Sequence, residues 1–169
     1  MILVEADVSE EWDSSTGWRE LAEAAVRAAV AETEAAVLIE GGPQAEVSVR
    51  FAGDEEVRAL NAAWRGKDKA TNVLSFPMVE PETVPAMASA EGEVLLGDVI
   101  LASGVCAREA GEKGISVRDH AAHLVVHGTL HLLGCDHERG DDEAETMEAA
   151  ERRALARLGI ADPYGDRGQ

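Results

Sequence analysis

The segment from Ser116 to Leu133, SVRDHAAHLVVHGTLHLL, carries a helical pattern whose main polar feature is a row of histidines. Ser116 and Asp119 stand at the spacing of a capping box, which predicts a helix that starts there and ends near Leu133. At about 100° per residue, His120, His123, His127 and His131 fall within an arc of roughly 80°. Leucine, valine and alanine occupy most of the remaining circumference, so the rest of the chain must enclose this helix nearly all round. Buried imidazoles need partners for their ring nitrogens, which makes the row a candidate for metal or hydrogen-bond chemistry.

The flanking sequence supplies the enclosing elements. Ile2–Ala6 reads as a short strand. Glu46–Phe51 alternates polar and apolar residues, the mark of a half-buried strand. Thr71–Phe76 reads as a strand stopped by Pro77, and Glu93–Ala102 is almost continuously apolar, as in a buried strand. A helix is predicted over Trp18–Ala35, where Leu21, Ala25, Val26 and Ala29 recur at helical spacing. Asp54 is read as the cap of a helix running to about Arg65, with Glu55 and Glu56 in its first turn and Gly66 past its end. A short helix over Cys106–Glu112 and a Glu/Arg-rich one over Asp141–Leu158 complete the set. Val79–Gly92 reads as a loop, and the polar tail after about residue 160 as frayed. Helices interleaved with about four strands, in 169 residues without an internal repeat, predict one α/β or α+β domain over residues 1–169.

Composition narrows the class. A chain of this length buries roughly 70% of its unfolded surface and needs no disulfide or metal in order to fold. Cys106 and Cys135 form neither a disulfide framework nor a zinc knuckle. The start, Met-Ile-Leu-Val-Glu, has no signal-peptide pattern, and no apolar run reaches membrane-spanning length, so a reduced, cytoplasmic protein without a membrane partner is expected. The net charge of −18 argues against a general coat for nucleic acid, though a local basic site remains compatible with it.

The end of the histidine helix concentrates the chemistry. In His127-Gly-Thr-Leu-His131-Leu-Leu-Gly134-Cys135-Asp136-His137, two imidazoles lie four residues apart on one helix face. Pairs at this spacing also include His123 and His127, but Gly134 selects the second pair. A left-handed glycine there ends the helix and lets His137 return toward His127 and His131. Three neutral imidazoles suit one zinc ion with a position left for water. His120 and His123 are then hydrogen-bonded partners or satisfied core histidines. Cys135, beside the turn, is set aside as a ligand, and Asp136 is a candidate for orienting a ligand imidazole.

The same spacing occurs in the metzincin metallopeptidases, HExxHxxGxxH, with one difference. Gly128 stands where those enzymes carry the glutamate base, so the ligand pattern persists without the peptidase base. A second constellation, Asn61-Ala-Ala-Trp-Arg65-Gly-Lys67-Asp-Lys69-Ala-Thr-Asn-Val-Leu-Ser-Phe-Pro77, places three cations within five residues of an otherwise acidic chain. Arginine suits bidentate phosphate recognition and lysine point-charge attraction, so a phosphate clamp beside the metal is expected; surface charges complementing a helix C-terminus are the plainer reading.

HGTLHLLGCDH together with NAAWRGKDKATNVLSFP and LLGDVIL resembles the bacterial YbeY family of endoribonucleases, over roughly Val47 to His137. The resemblance implies a single α/β domain with a mixed four-stranded sheet. It implies a zinc-dependent endoribonuclease directed at single-stranded RNA, acting in 16S rRNA 3′-end maturation and ribosome quality control. It further implies one Zn²⁺ held by His127, His131 and His137, with Arg65 as the functional arginine. Lys67 and Lys69 are expected to contact RNA phosphates, and ribosomal RNA and the small subunit with its proteins are the expected partners. Ala70 and Cys135 depart from the family's usual proline and tyrosine. The alternatives are a degenerate metzincin-like hydrolase and a non-catalytic ribosome-assembly factor with a structural zinc. The acidic stretch Glu138–Glu151 is expected to repel excess RNA.

Overall fold

Alternating side chains build the sheet. In strand β2 (Gln44–Ala52), Ala45, Val47, Val49 and Phe51 are buried while Glu46, Ser48 and Arg50 are half-buried on the opposite side. The computed structural model describes residues 1–80, 83, 92–135 and 141–164. Strands β1 (Ile2–Val8), β2, β3 (Val73–Pro77) and β4 (Glu93–Ala102) form one sheet in the order β1-β2-β4-β3. β1 and β4 run parallel to β2, and β3 runs antiparallel to β4 as an edge strand. The sheet is therefore mixed, as expected.

Helices α1 (Trp18–Ala31), α5 (Val117–Leu132) and α6 (Asp141–Arg157) pack together over the face that carries Val47, Val49, Phe51 and Val99. α5 lies between α1, α4 (Ser103–Lys113), α6 and strands β3 and β4. Its burial on nearly every side matches its apolar circumference. On the other face, Leu74, Ile100 and Ala102 are covered by Val57 and Leu60 of α3 (Asp54–Arg65) and by Val105.

Two glycines set how closely these layers meet. Leu96 is an extra residue in β4, because Leu95 and Gly97 face consecutive residues of β2. Gly97 has φ +147°, and a Cβ there would lie 2.4 Å from the Phe76 carbonyl oxygen and 2.7 Å from Leu132 Cδ2. Gly128 brings α5 onto the sheet: a Cβ there would lie 2.6 Å from Val99 Cγ1 and 3.0 Å from Ser75 Oγ. Ser75 Oγ donates to the Gly128 carbonyl at 3.0 Å, fastening the edge strand to the helix.

Several boundaries differ from the expected ones. α1 ends at Ala31, because Thr33 starts a 3-10 turn (Glu34–Ala36) with its hydroxyl accepting from the Ala35 N–H. A four-residue helix, α2 (Val37–Glu40), follows. Asp54 does not cap its own helix. Gly53 is the N-cap of α3, and the Asp54 carboxylate instead accepts from the Gly104 and Val105 N–H groups at 2.9 and 3.2 Å, capping α4. α4 accordingly begins at Ser103 rather than Cys106. Ser116 caps α5 by accepting from the Asp119 N–H at 3.0 Å. The described part of the tail keeps contacts with the body: Ile160 donates to the Leu155 carbonyl at 2.9 Å, and Tyr164 packs edge-on against His123. Most of the expected 79–92 loop, and residues 165–169 of the tail, lie outside the described residues.

Candidate functional site

Helix α3 ends where Gly66 turns left-handed at φ +69°, with the Lys67 N–H bonded back to the Asn61 carbonyl at 3.2 Å. The buried Asn61 amide donates to the Lys69 carbonyl at 2.9 Å. The Arg58 guanidinium forks onto Asp68 at 2.9 and 3.2 Å. These bonds tie down the turn that carries Arg65, Lys67 and Lys69, whose side chains stay exposed.

Across the edge strand stands the last turn of α5. Arg65, Lys67 and Lys69 on one side and His127 and His131 on the other line one cleft of about 570 Å³, with Val73 to Ser75 and Pro77 also in its wall. The two constellations read separately from the sequence are thus brought together by β3, which connects to the turn on one side and packs against α5 on the other. His137 and Asp136 lie outside the described residues. Gly134 has φ +95°, the Gly134 N–H bonds the His131 carbonyl at 3.1 Å, and the Cys135 N–H bonds the Leu130 carbonyl at 3.0 Å. This pair of bonds is the Schellman arrangement that turns a chain back from a helix end.

The Nε2 atoms of His127 and His131 are 3.1 Å apart. Two imidazole nitrogens bound to one zinc at about 2.0–2.1 Å in a tetrahedron would be roughly 3.3–3.4 Å apart, so the pair has close to the required separation. A carboxylate orients one member. His127 Nδ1 hydrogen-bonds Glu151 Oε1, which assigns the ring proton to Nδ1 and the lone pair to Nε2. This donor chemistry fits a divalent metal of the zinc type.

Glu151 is fully buried and also meets His123 Nε2 at 3.3 Å and the Tyr164 hydroxyl. Burial is the largest influence on its carboxyl and opposes ionisation. The bonds from His123, His127 and Tyr164 together with the field of His127 outweigh it, and hold the group well below the usual carboxylate range. Tyr164 is pushed far above the ordinary phenol value, by burial first and by Glu151 second. His120 forms a second pair, its Nε2 lying 2.8 Å from Glu109 Oε1, to which Asn72 Nδ2 also donates at 3.0 Å. Burial lowers the pKa of His120, with the Glu109 bond opposing. His120 and His123 are therefore carboxylate-partnered core residues.

Glu151, the carboxylate that joins His123 and His127, is the candidate-site residue that sequence reading misses. It belongs to the acidic stretch expected to repel RNA, yet its side chain points inward beside Met147, Ala150, Ala154 and Leu155. That spacing, one glutamate on the apolar stripe of a charged helix, was the available signal. Gly128 also gains a second meaning. A glutamate there would begin with a Cβ inside the contact distance of Val99, so the helix–sheet approach leaves no room for it without rearrangement.

A family model described as Endoribonuclease YbeY matches residues 6–159 of the chain. An Endoribonuclease YbeY of Rhizorhabdus wittichii is 54% identical over 165 residues, covering 97% of each chain. One of Zymomonas mobilis is 50% identical over 167 residues, covering 98% of this chain and 94% of its own. A solution structure of a Thermotoga maritima protein shares the fold, with a TM-score of 0.55 at 21% identity over 97% of this chain and 100% of that one.

Proposed function

Because the chain belongs to the endoribonuclease YbeY family, we propose that it is a zinc-dependent endoribonuclease that cuts single-stranded RNA, acting in 16S rRNA 3′-end maturation and ribosome quality control. The observation that carries this reading is the cleft itself, where three cations face a close histidine pair across one edge strand. His127, His131 and His137 are the assigned ligands of one zinc ion. When bound, zinc supplies Lewis-acid polarisation of a phosphate oxygen and a water of lowered pKa.

The protein's own groups do the remaining work. Glu151 holds the His127 ring in the tautomer that presents Nε2. Arg65 stabilises charge that builds on the phosphoryl oxygens, and Lys67 and Lys69 attract the neighbouring phosphates. RNA carries its own 2′-hydroxyl, so the missing glutamate at Gly128 is less costly here than it would be to a peptidase. With a net charge of −18, the chain repels RNA at long range and phosphate attraction falls to local cation clusters such as this cleft, so targeting is assigned to the small ribosomal subunit and its proteins. No helix among the described residues is long and apolar enough to cross a membrane.

The test is cleavage of a defined single-stranded RNA by wild type, His131→Ala and Arg65→Ala, each with and without chelator. Arg65→Ala is expected to lower kcat by about 100-fold or more, as loss of one transition-state donor does. His131→Ala and chelation are expected to abolish cleavage. Equal cleavage in all samples would trace the activity to a contaminating nuclease.

A further inference from the structure

Aromatic residues are scarce in this chain: three tryptophans, two phenylalanines and one tyrosine. Trp12, Trp18 and Phe51 interlock in the core. Trp64 is the most exposed of the six, with 73% of its surface in solvent. An indole left in water forgoes the burial that makes such side chains valuable, and an exposed one beside a binding cleft invites a ligand.

Its position is specific. Trp64 lies in the last turn of α3, next to Arg65. Asn61 and Arg65 both line the cleft. At about 100° per residue, Trp64 stands roughly 60° to one side of Asn61 and Arg65 roughly 40° to the other. The indole leans on Phe76, with ring centroids 6.5 Å apart and planes at 65°. Phe76 sits between Ser75 and Pro77, which also line the cleft. Phe76 alternates with Ser75 and Pro77 along β3, so the ring is steadied on the α3 side of the strand, beside the cleft and outside its lining.

We infer that Trp64 is a stacking platform for one base of a single-stranded RNA whose phosphates are held by Arg65, Lys67 and Lys69. The inference rests on reading the cleft as an RNA site, and it names what selects the single strand. A duplex hides its base faces, whereas an unpaired base can lie on an indole. Stacking is sequence-tolerant and is worth about 5- to 150-fold in affinity per base. It also depends far less on salt than phosphate contacts do. For a chain with net charge −18, an uncharged contact supplies affinity that its few clustered cations do not. A protein partner could also cover an indole, but three adjacent cations favour a polyanion.

Tryptophan fluorescence tests this directly, since Trp12 and Trp18 are only 4% exposed and leave Trp64 as the reporter. The full-length chain is titrated with a short 2′-O-methyl single-stranded oligonucleotide, which offers no 2′-hydroxyl nucleophile, and with an abasic oligomer of equal charge. The oligonucleotide is expected to quench wild type and to bind Trp64→Leu about 5- to 150-fold more weakly, while Trp64→Phe keeps most of the affinity. On cleavable RNA, Trp64→Leu is expected to raise KM with little change in kcat. Equal binding by wild type and Trp64→Leu, or equal quenching by the abasic oligomer, would overturn the inference. So would failure of wild type to bind either oligomer. Cleavage of unmodified RNA that disappears in His131→Ala would then leave the ribonuclease reading standing without the stacking contact.

Discussion

Replacing Gly128 by alanine sets two effects of opposite sign against each other. In the interior of a helix, alanine is favoured over glycine by about 1 kcal/mol, so propensity alone predicts a more stable protein. The new Cβ, however, would lie 2.6 Å from Val99 Cγ1, 3.0 Å from Ser75 Oγ and 3.3 Å from Val73 Cγ2. Val99 is fully buried and β-branched, so it has little freedom to turn away. Overpacking of this kind costs about 1–3 kcal/mol, and stretching the Ser75–Gly128 bond removes up to about 1 kcal/mol more. The net expectation is a loss of about 1–2 kcal/mol, read in urea denaturation, or a fall of roughly 3–6 °C in Tm. A second substitution, Val99→Ala, opens the space, so Gly128→Ala/Val99→Ala should be less destabilised than the sum of the two single variants. Because His127 precedes Gly128 and His131 lies one turn on, the single variant should also lose RNA cleavage beyond its stability loss. A rise in Tm for Gly128→Ala would refute the reasoning, since it would mean that helix propensity outweighs the close approach of α5 to β4.

Other expectations follow from the buried carboxylates and caps. Glu151→Gln should weaken zinc binding about 10- to 100-fold in chelator competition, because the amide is a poorer partner for His127 Nδ1; unchanged affinity would remove Glu151 from the site. Glu32 accepts from Arg153 and Arg157 at 2.6 Å each. Burial opposes its ionisation most strongly, but the two arginines outweigh burial and depress its pKa below 4.5. Its contribution, about 1 kcal/mol, is therefore present above that value and lost as pH falls through the lower folded value. Glu32→Gln should accordingly be less stable than wild type at pH 7 and converge with it in acid, by thermal melts across pH. Asp54→Ala should cost about 1 kcal/mol in urea denaturation through loss of the α4 cap, with Asp54→Asn milder.

Strong periodicities carried the fold. The apolar circumference of 116–133 foretold an enclosed helix, and the alternation of 46–51 and the apolar run of 93–102 foretold strands where β2 and β4 lie. Boundaries moved where short polar side chains had competing uses. Thr33 capped a new turn in place of continuing α1, and Asp54 reached across to α4 in place of its own helix. At the candidate site, the histidine pair and the three cations were legible as residue types and expected side by side, but the arrangement that joins them was not legible. It depends on β3 being the edge strand, which no local spacing encodes. Glu151 was hidden for a different reason: in a helix rich in glutamate, one inward carboxylate looks like surface charge until its apolar neighbours are known.

The order in which the ribosome delivers these residues gives Glu151 one more consequence. The carboxylate that sets His127 lies 24 residues downstream of it in the chain. At about 5–20 residues per second, Glu151 is added roughly 1–5 s after the histidine. During that interval the nascent chain contains the histidine pair but not the acceptor that fixes one of its rings. The histidine pair thus stays unset until α6 has been made and has docked against α5.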